Sequence, residues 1–485
     1  MASVLPNPRR WWALAVLALA QFLVIMDTSI IGVALPEIQQ ALNFSQSDLS
    51  WVFNAYVIAF GGLLLLGGRL SDLYGARRIF IIGFTILTAA SLLTGLADSS
   101  ELLLIGRALQ GVGSALIAPA ALTLLMSLFA HDPKELTKAL ALYGAAAPAG
   151  GTAGVFLGGV LTEWVDWRWV FLINIPVGLA VLAISRSFLP ALAARRGSID
   201  IAGALSVTAA LSLAVYAIVR APEAGWSSPE TIVEIVAAAG LLGVFAAIQA
   251  RRREPLMPLS ILRAPNLAAA NAAMALLGAA WVPMWFFVNL YLQQVLGFGP
   301  FQGGAALLPM TLTIMFLMVG VTSNVIGRYG FKPTIIAGMV TLAGGLGLLS
   351  LVRADGSFAV DVMPATLIAA LGMSLAYIPA MLAALSGAKP EEGGLASGIV
   401  NTTYQIGSAL GLAVMTAVAT GRGADQIGDL PALVDGFSAA FVGAAAIALA
   451  GAALTMVWLR QPRGTGQTET QTSSQPDGLT GQQTV

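Results

Sequence analysis

The chain has no cysteine, a single histidine and little charge: only 10% of its 485 residues are Asp, Glu, Lys or Arg. A soluble domain carries about 25%. Without cysteine there are no disulfides and no thiolate metal sites, and nothing follows about compartment. The formal net charge is zero, so neither nucleic acid nor another strongly charged partner is implied. No Gly-Lys dipeptide occurs, which removes the phosphate-cradling loop of an ATP-driven machine. No His/Asp/Glu set has metal-ligand spacing, so no metal or other cofactor is expected. The clustered His, Asp or Cys residues of a membrane-embedded enzyme are missing as well.

Apolar residues dominate instead, at 57% of the sequence, with a mean hydropathy of +0.83. A membrane-crossing helix needs roughly 20 mostly apolar residues. Fourteen stretches qualify, beginning near Trp11, Trp51, Ile79, Leu102, Ala139, Trp169, Ile201, Ile232, Leu267, Gln302, Pro333, Val362, Gly394 and Phe437. The first continues to about Leu35, too long for the apolar core of a signal peptide, and reads as a retained span. The expected fold class is therefore an all-α integral membrane protein with fourteen spans.

Cytoplasmic loops are enriched in Lys and Arg. With the N-terminus inside and spans alternating, the inner side holds nineteen of the 24 Lys and Arg residues. The outer side holds Arg168, Arg220, Arg353 and Arg422, and Arg107 lies within a span. A missed or invented span would invert every later loop, so this bias supports both ends lying inside a multi-pass cell-membrane protein. The last residues, 461–485, are polar and of low complexity and read as a disordered cytoplasmic tail. His131 falls in the cytoplasmic loop HDPKE and reads as solvated rather than as a proton relay.

The chain also repeats itself. GGRLSDLYGARRIFIIGF and TSNVIGRYGFKPTIIAGM align at a shift that superposes Tyr74 on Tyr329, Gly75 on Gly330 and Arg77 on Lys332. Duplicated bundles around a central pathway are a common build for secondary transporters. This predicts an N-terminal six-helix bundle (1–188), a two-helix insert and linker (189–263) and a C-terminal six-helix bundle (264–460).

GGRLSDLYGARR resembles the second-to-third loop signature of the major facilitator superfamily, with Gly68, Leu70, Asp72 and Gly75 in the expected places. The basic residues usual at 73 and 76 are Leu73 and Ala76, and Arg77 and Arg78 supply the charge. MDTSIIGVALP, GRALQGVG, WRWVFLINIPVG and YLQQVLGFGPFQGGAALLP are similar to signatures of its 14-span drug:proton antiporter branch. The resemblance implies two six-helix bundles plus two inserted helices. It also implies export of small amphipathic drugs or antibiotics in exchange for protons by alternating access. The alternative is a lipid or metabolite exporter of the same fold. A small-molecule substrate and the bilayer are the partners expected, with no obligate protein partner.

Asp27 and Arg107 are ionisable groups inside apolar spans, where such groups are costly and usually functional. Asp27 lies about 24 Å along its helix from Trp11, and Arg107 about 8 Å below the outer surface. In a core about 30 Å thick the two match in depth. They are expected to pair, with Arg107 favouring the ionised carboxylate while they touch and separation favouring protonation. A static structural pair is the competing reading. The resemblance points to the same two positions and adds Gln110. For Asp72 it implies a conformational latch against a helix N-terminus of the other half, flanked by Gly68, Gly75 and Arg77. An ordinary capping carboxylate is the alternative.

Gly150, Gly154 and Gly158, followed by Gly159, line one face of the fifth span, so another helix can approach closely. The branch signature places a proline after the middle glycine. Val155 stands there, with Pro148 a turn or two earlier. For a substrate pathway the aromatic and amide residues are Trp281, Trp285, Phe286, Asn289, Tyr291 and Gln294 on the ninth span and Asn401, Tyr404 and Gln405 on the thirteenth. Helix packing explains any single one equally well. Spans ten to fourteen have no internal acid and Glu234 is a borderline one, which favours neutral, zwitterionic or monovalent substrates.

Overall fold

The structure, a computed structural model, describes residues 9–129, 132–192, 200–252, 255, 266–385 and 393–460. His131 and the 461–485 tail therefore lie outside the described residues. Among the described residues every regular element is helical.

The helices are α1 (Arg10–Leu42), α2 (Gln46–Leu49), α3 (Trp51–Tyr74), α4 (Ala76–Gly95), α5 (Ser100–Phe129), α6 (Pro133–Trp164), α7 (Trp169–Leu172) and α8 (Asn174–Phe188). Next come α9 (Ile201–Ala224) and α10 (Pro229–Arg251). Then follow α11 (Leu267–Leu290), α12 (Pro300–Gly320), α13 (Thr322–Tyr329), α14 (Phe331–Leu349), α15 (Met363–Leu385), α16 (Gly393–Thr420) and α17 (Leu430–Trp458). A π-helical turn extends α11 over Tyr291–Val295, and another precedes α15 over Phe358–Val362.

Helices dominate because a chain in hydrocarbon must satisfy every backbone N–H and C=O within itself. Among the described residues, thirteen helical runs are long and apolar enough to cross a bilayer, one fewer than the sequence leads one to expect. The helix left out is α16. It has the length, at 28 residues, but Asn401, Thr402, Thr403, Tyr404 and Gln405 lower its apolar character. Polar caps mark several turns between helices: Ser45 Oγ accepts from the Asp48 N–H at 3.0 Å, and Ser228 Oγ accepts from the Thr231 N–H just ahead of Pro229. Such caps satisfy N–H groups left open at a helix start.

Two groups of helices pack among themselves. In the first, α1 lies along α6 and α5 lies against α3 and α4; in the second, α11 lies along α16 and α14 against α15 and α17. The aligned glycines both take a positive φ. Gly75 (φ 89°) separates α3 from α4, and Gly330 (φ 80°) separates α13 from α14. Both lie in the left-handed region that glycine enters without a Cβ penalty.

α9 and α10 pair with each other. Of the two, α9 also touches α3 of the first group and α16 of the second. Their N-terminal pin is Asp200, fully buried. Its carboxylate accepts from the Gly203 N–H at 2.9 Å and from Gln249 Nε2 at 2.7 Å, and Arg252 lies at 3.5 Å. Glu234 is ion-paired to Arg220 at 3.5 Å, within this same helix pair.

Candidate functional site

Glycines bring α5 close to its neighbours. A Cβ on Gly106 would lie 2.2 Å from Thr94 Oγ1 of α4, and one on Gly111 would lie 2.4 Å from the Tyr56 carbonyl of α3. That approach carries Arg107 and Gln110, one turn apart, into the middle of the first helix group. α1 delivers Asp27 to the same place, and all three side chains are fully buried.

Arg107 Nη1 donates to Asp27 Oδ2 at 2.9 Å and to Gln110 Oε1 at 2.9 Å. Arg107 Nε donates to the Val52 carbonyl at 3.0 Å. The guanidinium lies 4.5 Å from the Tyr56 ring centre, a cation–π contact strengthened by desolvation. Gln110 Nε2 donates to Asp27 Oδ1 at 3.2 Å and to Ser91 Oγ at 2.9 Å. Asn174, at the start of α8, donates through Nδ2 to Asp27 Oδ1 and lies 3.4 Å from Ser91 Oγ. The sequence singles out Asp27 and Arg107, the resemblance adds Gln110, and the three side chains meet in the structure. The sequence does not single out Asn174 or Ser91, which are neutral and carry no charge signal in an apolar run. A buried carboxylate held by one cation and two amides has its negative charge matched by donors on both oxygens.

Asp72 is half-buried in the last turn of α3. Its flanking residues contact the first helix group. Arg77 Nη1 donates to the Leu189 carbonyl at 3.2 Å, a Cβ on Gly75 would sit 3.0 Å from the Leu192 carbonyl, and Gly68 faces Pro119. This loop therefore leans on the segment that leaves α8.

The glycine face of α6 runs along α1 in register. Added Cβ atoms would meet the Phe22 carbonyl from Gly150 (2.4 Å), the Met26 carbonyl from Gly154 (2.8 Å) and the Ile30 carbonyl from Gly158 (2.7 Å). Gly159 turns the other way, towards Phe301 and Pro300 of α12, and the Val155 carbonyl lies 2.5 Å from a Cβ on Gly304. Close backbone approach of this kind is how small residues hold membrane helices together.

The remaining candidates divide into two sets. Trp285 is buried and fills the space that Gly32 leaves on α1. Asn289, also buried, donates to the Trp285 carbonyl at 2.8 Å. Tyr291 donates to the Arg353 carbonyl at 2.7 Å. Trp281 is half-buried and Phe286 fully buried. On α16, Asn401 accepts from Tyr377 Oη at 3.5 Å, Tyr404 meets the Tyr377 ring edge-on at 5.4 Å, and Gln405 presses on Gly61 of α3. Tyr377, absent from the sequence-derived candidates, joins α15 to this aromatic and amide set.

Gln294 lies elsewhere, in a seal between the two helix groups. Gln39 donates to Gln46 at 2.8 Å, Gln46 to Gln294 at 3.4 Å and Gln294 to Gln39 at 3.0 Å. Each amide donates to the next and the ring closes. Beside it Gln293 donates to the Val33 carbonyl at 2.9 Å. The π turn at Tyr291–Val295 presents both neighbouring glutamines to α1, and such turns recur at functional positions. On the same end of the molecule Glu163 accepts from the Phe301 N–H at 2.8 Å, and Trp164 stacks on Phe301 at 5.1 Å.

The comparisons with known proteins agree with this architecture. The chain is 38% identical to the cephamycin export protein CmcT of Amycolatopsis lactamdurans, over 92% of each chain. It is 36% identical to the puromycin resistance protein pur8 of Streptomyces alboniger, over 87% of this chain and 84% of that one. Among solved structures, the POT family transporter PepTSo superposes with a TM-score of 0.68 at 17% identity, covering 92% of this chain and 97% of that one. That likeness concerns the fold alone. The model of the Major Facilitator Superfamily matches residues 17–412, and the chain belongs to that superfamily as a multi-pass membrane transporter rather than an enzyme.

Proposed function

We propose that the chain is a secondary active exporter, moving small amphipathic compounds out of the cytoplasm in exchange for protons. The observation that carries this reading is the fully buried Asp27–Arg107 pair, 2.9 Å apart inside the first helix group. An ionisable pair at such depth is expensive and marks a functional position. Relatives named for antibiotic export and resistance support the direction and the substrate class. In this reading α1–α8 and α11–α17 are the two rocking halves, bounded near 1–188 and 264–460. The α9–α10 insert rides between them, and α16 is the fourteenth span. Both termini are cytoplasmic, so the glutamine ring faces outside and the described state is sealed outwards. The proton gradient is the energy source and no cofactor is needed. Asp72 would latch the inner side in the opposite state, and Tyr377, Asn401, Tyr404 and Gln405 with Trp281 would line the substrate path.

Transport then follows from charge bookkeeping at Asp27. A proton arriving from outside neutralises the carboxylate and weakens its hold on Arg107. α1 and α5 are freed to shift as substrate leaves outwards, and once the halves have rocked back proton release inside restores the pair while new substrate enters from the cytoplasm. A drug-susceptibility panel in an efflux-deficient host, with transport assays in proteoliposomes, tests this. Asp27→Asn is expected to lose transport driven by a pH difference while still binding substrate. An Asp27→Asn protein that still accumulates substrate against its gradient overturns the reading.

A further inference from the structure

We propose that Asn174 is a positioning residue that follows the charge state of Asp27, turning its side-chain amide over each time the carboxyl gains or loses a proton. The inference rests on proton exchange at Asp27 and names how that site holds its second state.

The ionised carboxylate is acceptor-only, and all its partners here are donors. Oδ2 takes Arg107 Nη1, and Oδ1 takes Gln110 Nε2 and Asn174 Nδ2. Because a carboxylate offers no hydrogen, Asn174 must present its NH2 edge to it. That leaves Asn174 Oδ1 fully buried with no hydrogen-bond partner. Buried acceptors are almost always paired, and an unpaired one costs about 1–3 kcal/mol. Such an atom in the first contact layer of an ionisable group calls for a reason.

Protonation supplies one. A neutral carboxyl carries an O–H that needs an acceptor, and most surrounding oxygens are engaged. Gln110 Oε1 is held by Arg107. Ser91 Oγ already receives Gln110 Nε2. Asn174 Oδ1 is left. Half a turn about the Cβ–Cγ bond exchanges Nδ2 for Oδ1, so that the Asp27 O–H donates to Asn174; Nδ2 then takes the unpartnered place, so each charge state leaves one Asn174 atom without a partner and the two states are held evenly. Ser91, beside the same edge, can accept from Nδ2 or donate to Oδ1. One proton is added to Asp27 and no other covalent bond changes.

Among the described residues, the charged or titratable groups packed on Asp27 are Arg107 from α5 and Tyr56 from α3; α4 and α8 contribute neutral Ser91 and Asn174. Arg107 favours the ionised form. A neutral, reversible amide stabilises both, so the protonated state need not borrow from Arg107, and the cation is released to move with α5.

The test is pH-difference infrared spectroscopy of the purified full-length transporter in lipid. The carbonyl band of protonated Asp27 is identified by its loss in Asp27→Asn. In wild type this band is expected at the low wavenumber of an acid that donates a strong hydrogen bond; a free-acid band overturns the proposal with no Asn174 variant needed. Asn174→Leu is expected to move the band up and to displace the pH profile of transport, and Asn174→Gln to return both towards wild type. An Asp27 band and pH profile indifferent to Asn174→Leu also overturn it. If no Asp27 band titrates at all, the proton-exchange reading itself fails, which is a separate outcome.

Discussion

Gly32 of α1 and Trp285 of α11 share one space: a Cβ built on Gly32 would lie 2.0 Å from Trp285 Cη2. The indole is buried, with its rim against Phe53 of α3 at 6.4 Å between rings. It therefore has little room to retreat. Gly32→Ala should cost the sealed state about 1–3 kcal/mol of overpacking, and so shift the population towards the outward-open form. Labelling of a single cysteine placed at Leu42, buried at the end of α1 and outside the glutamine ring, would read this, with faster modification in the Gly32→Ala background. Equal rates would show that Trp285 adapts.

The glutamine ring makes a sharper prediction. Each of its three bonds is worth about 0.5–1.5 kcal/mol net, and the bonds share partners. Gln39→Leu and Gln294→Leu should each loosen the seal, and the double variant should loosen it by less than the sum, because partners within one network are not additive. Spin-label distances across α1 and α11 would measure the populations. Additive effects would mean that the three amides act independently.

Removing one partner of the buried pair should harm folding more than removing both. Arg107→Leu strands the Asp27 carboxylate, with an expected loss of about 3–5 kcal/mol. Asp27→Asn combined with Arg107→Leu should recover much of that stability and none of the proton-driven transport. Thermal unfolding in detergent, set beside transport assays, separates the two effects.

On α6 the register of the glycines predicts a graded series. Gly150→Ala and Gly154→Ala drive a methyl into backbone carbonyls of α1, at 2.4 Å and 2.8 Å, and should lower the unfolding temperature. Gly151→Ala meets Ser29 Oγ at 3.7 Å and Ile25 Cγ2 at 4.0 Å, ordinary contacts, and should be tolerated. If Gly151→Ala proved as harmful as Gly154→Ala, close approach to α1 would not be what the glycines provide.

Much of this was legible in the sequence because charge inside an apolar run has few explanations. Asp27 and Arg107 stand out as charges inside apolar runs, and the repeat that superposes Gly75 on Gly330 is matched by a positive φ at both glycines. Neutral polar residues give no such signal. Asn174 sits in WRWVFLINIPVG and Ser91 in a run of small residues, and only the meeting of α1, α4, α5 and α8 reveals them. Gln294 reads as a pathway amide on any regular helix. The π turn that carries it to Gln39 has no periodicity of its own. α16 shows the converse problem, since the polar residues at 401–405 dilute the hydropathy of a helix that has the length to cross a bilayer.

α9 touches α3 on one side and α16 on the other, so the crevice between those two helices is roofed where it would face the lipid. On the opposite flank α6 packs directly on α12, and among the described residues neither α9 nor α10 packs over that seam. A lipophilic molecule dissolved in the leaflet would then find one flank shuttered and the other exposed. A lipid-soluble photoprobe that crosslinks on transport should mark α6 and α12, and label concentrated on α3 or α16 would contradict such one-sided access from the membrane.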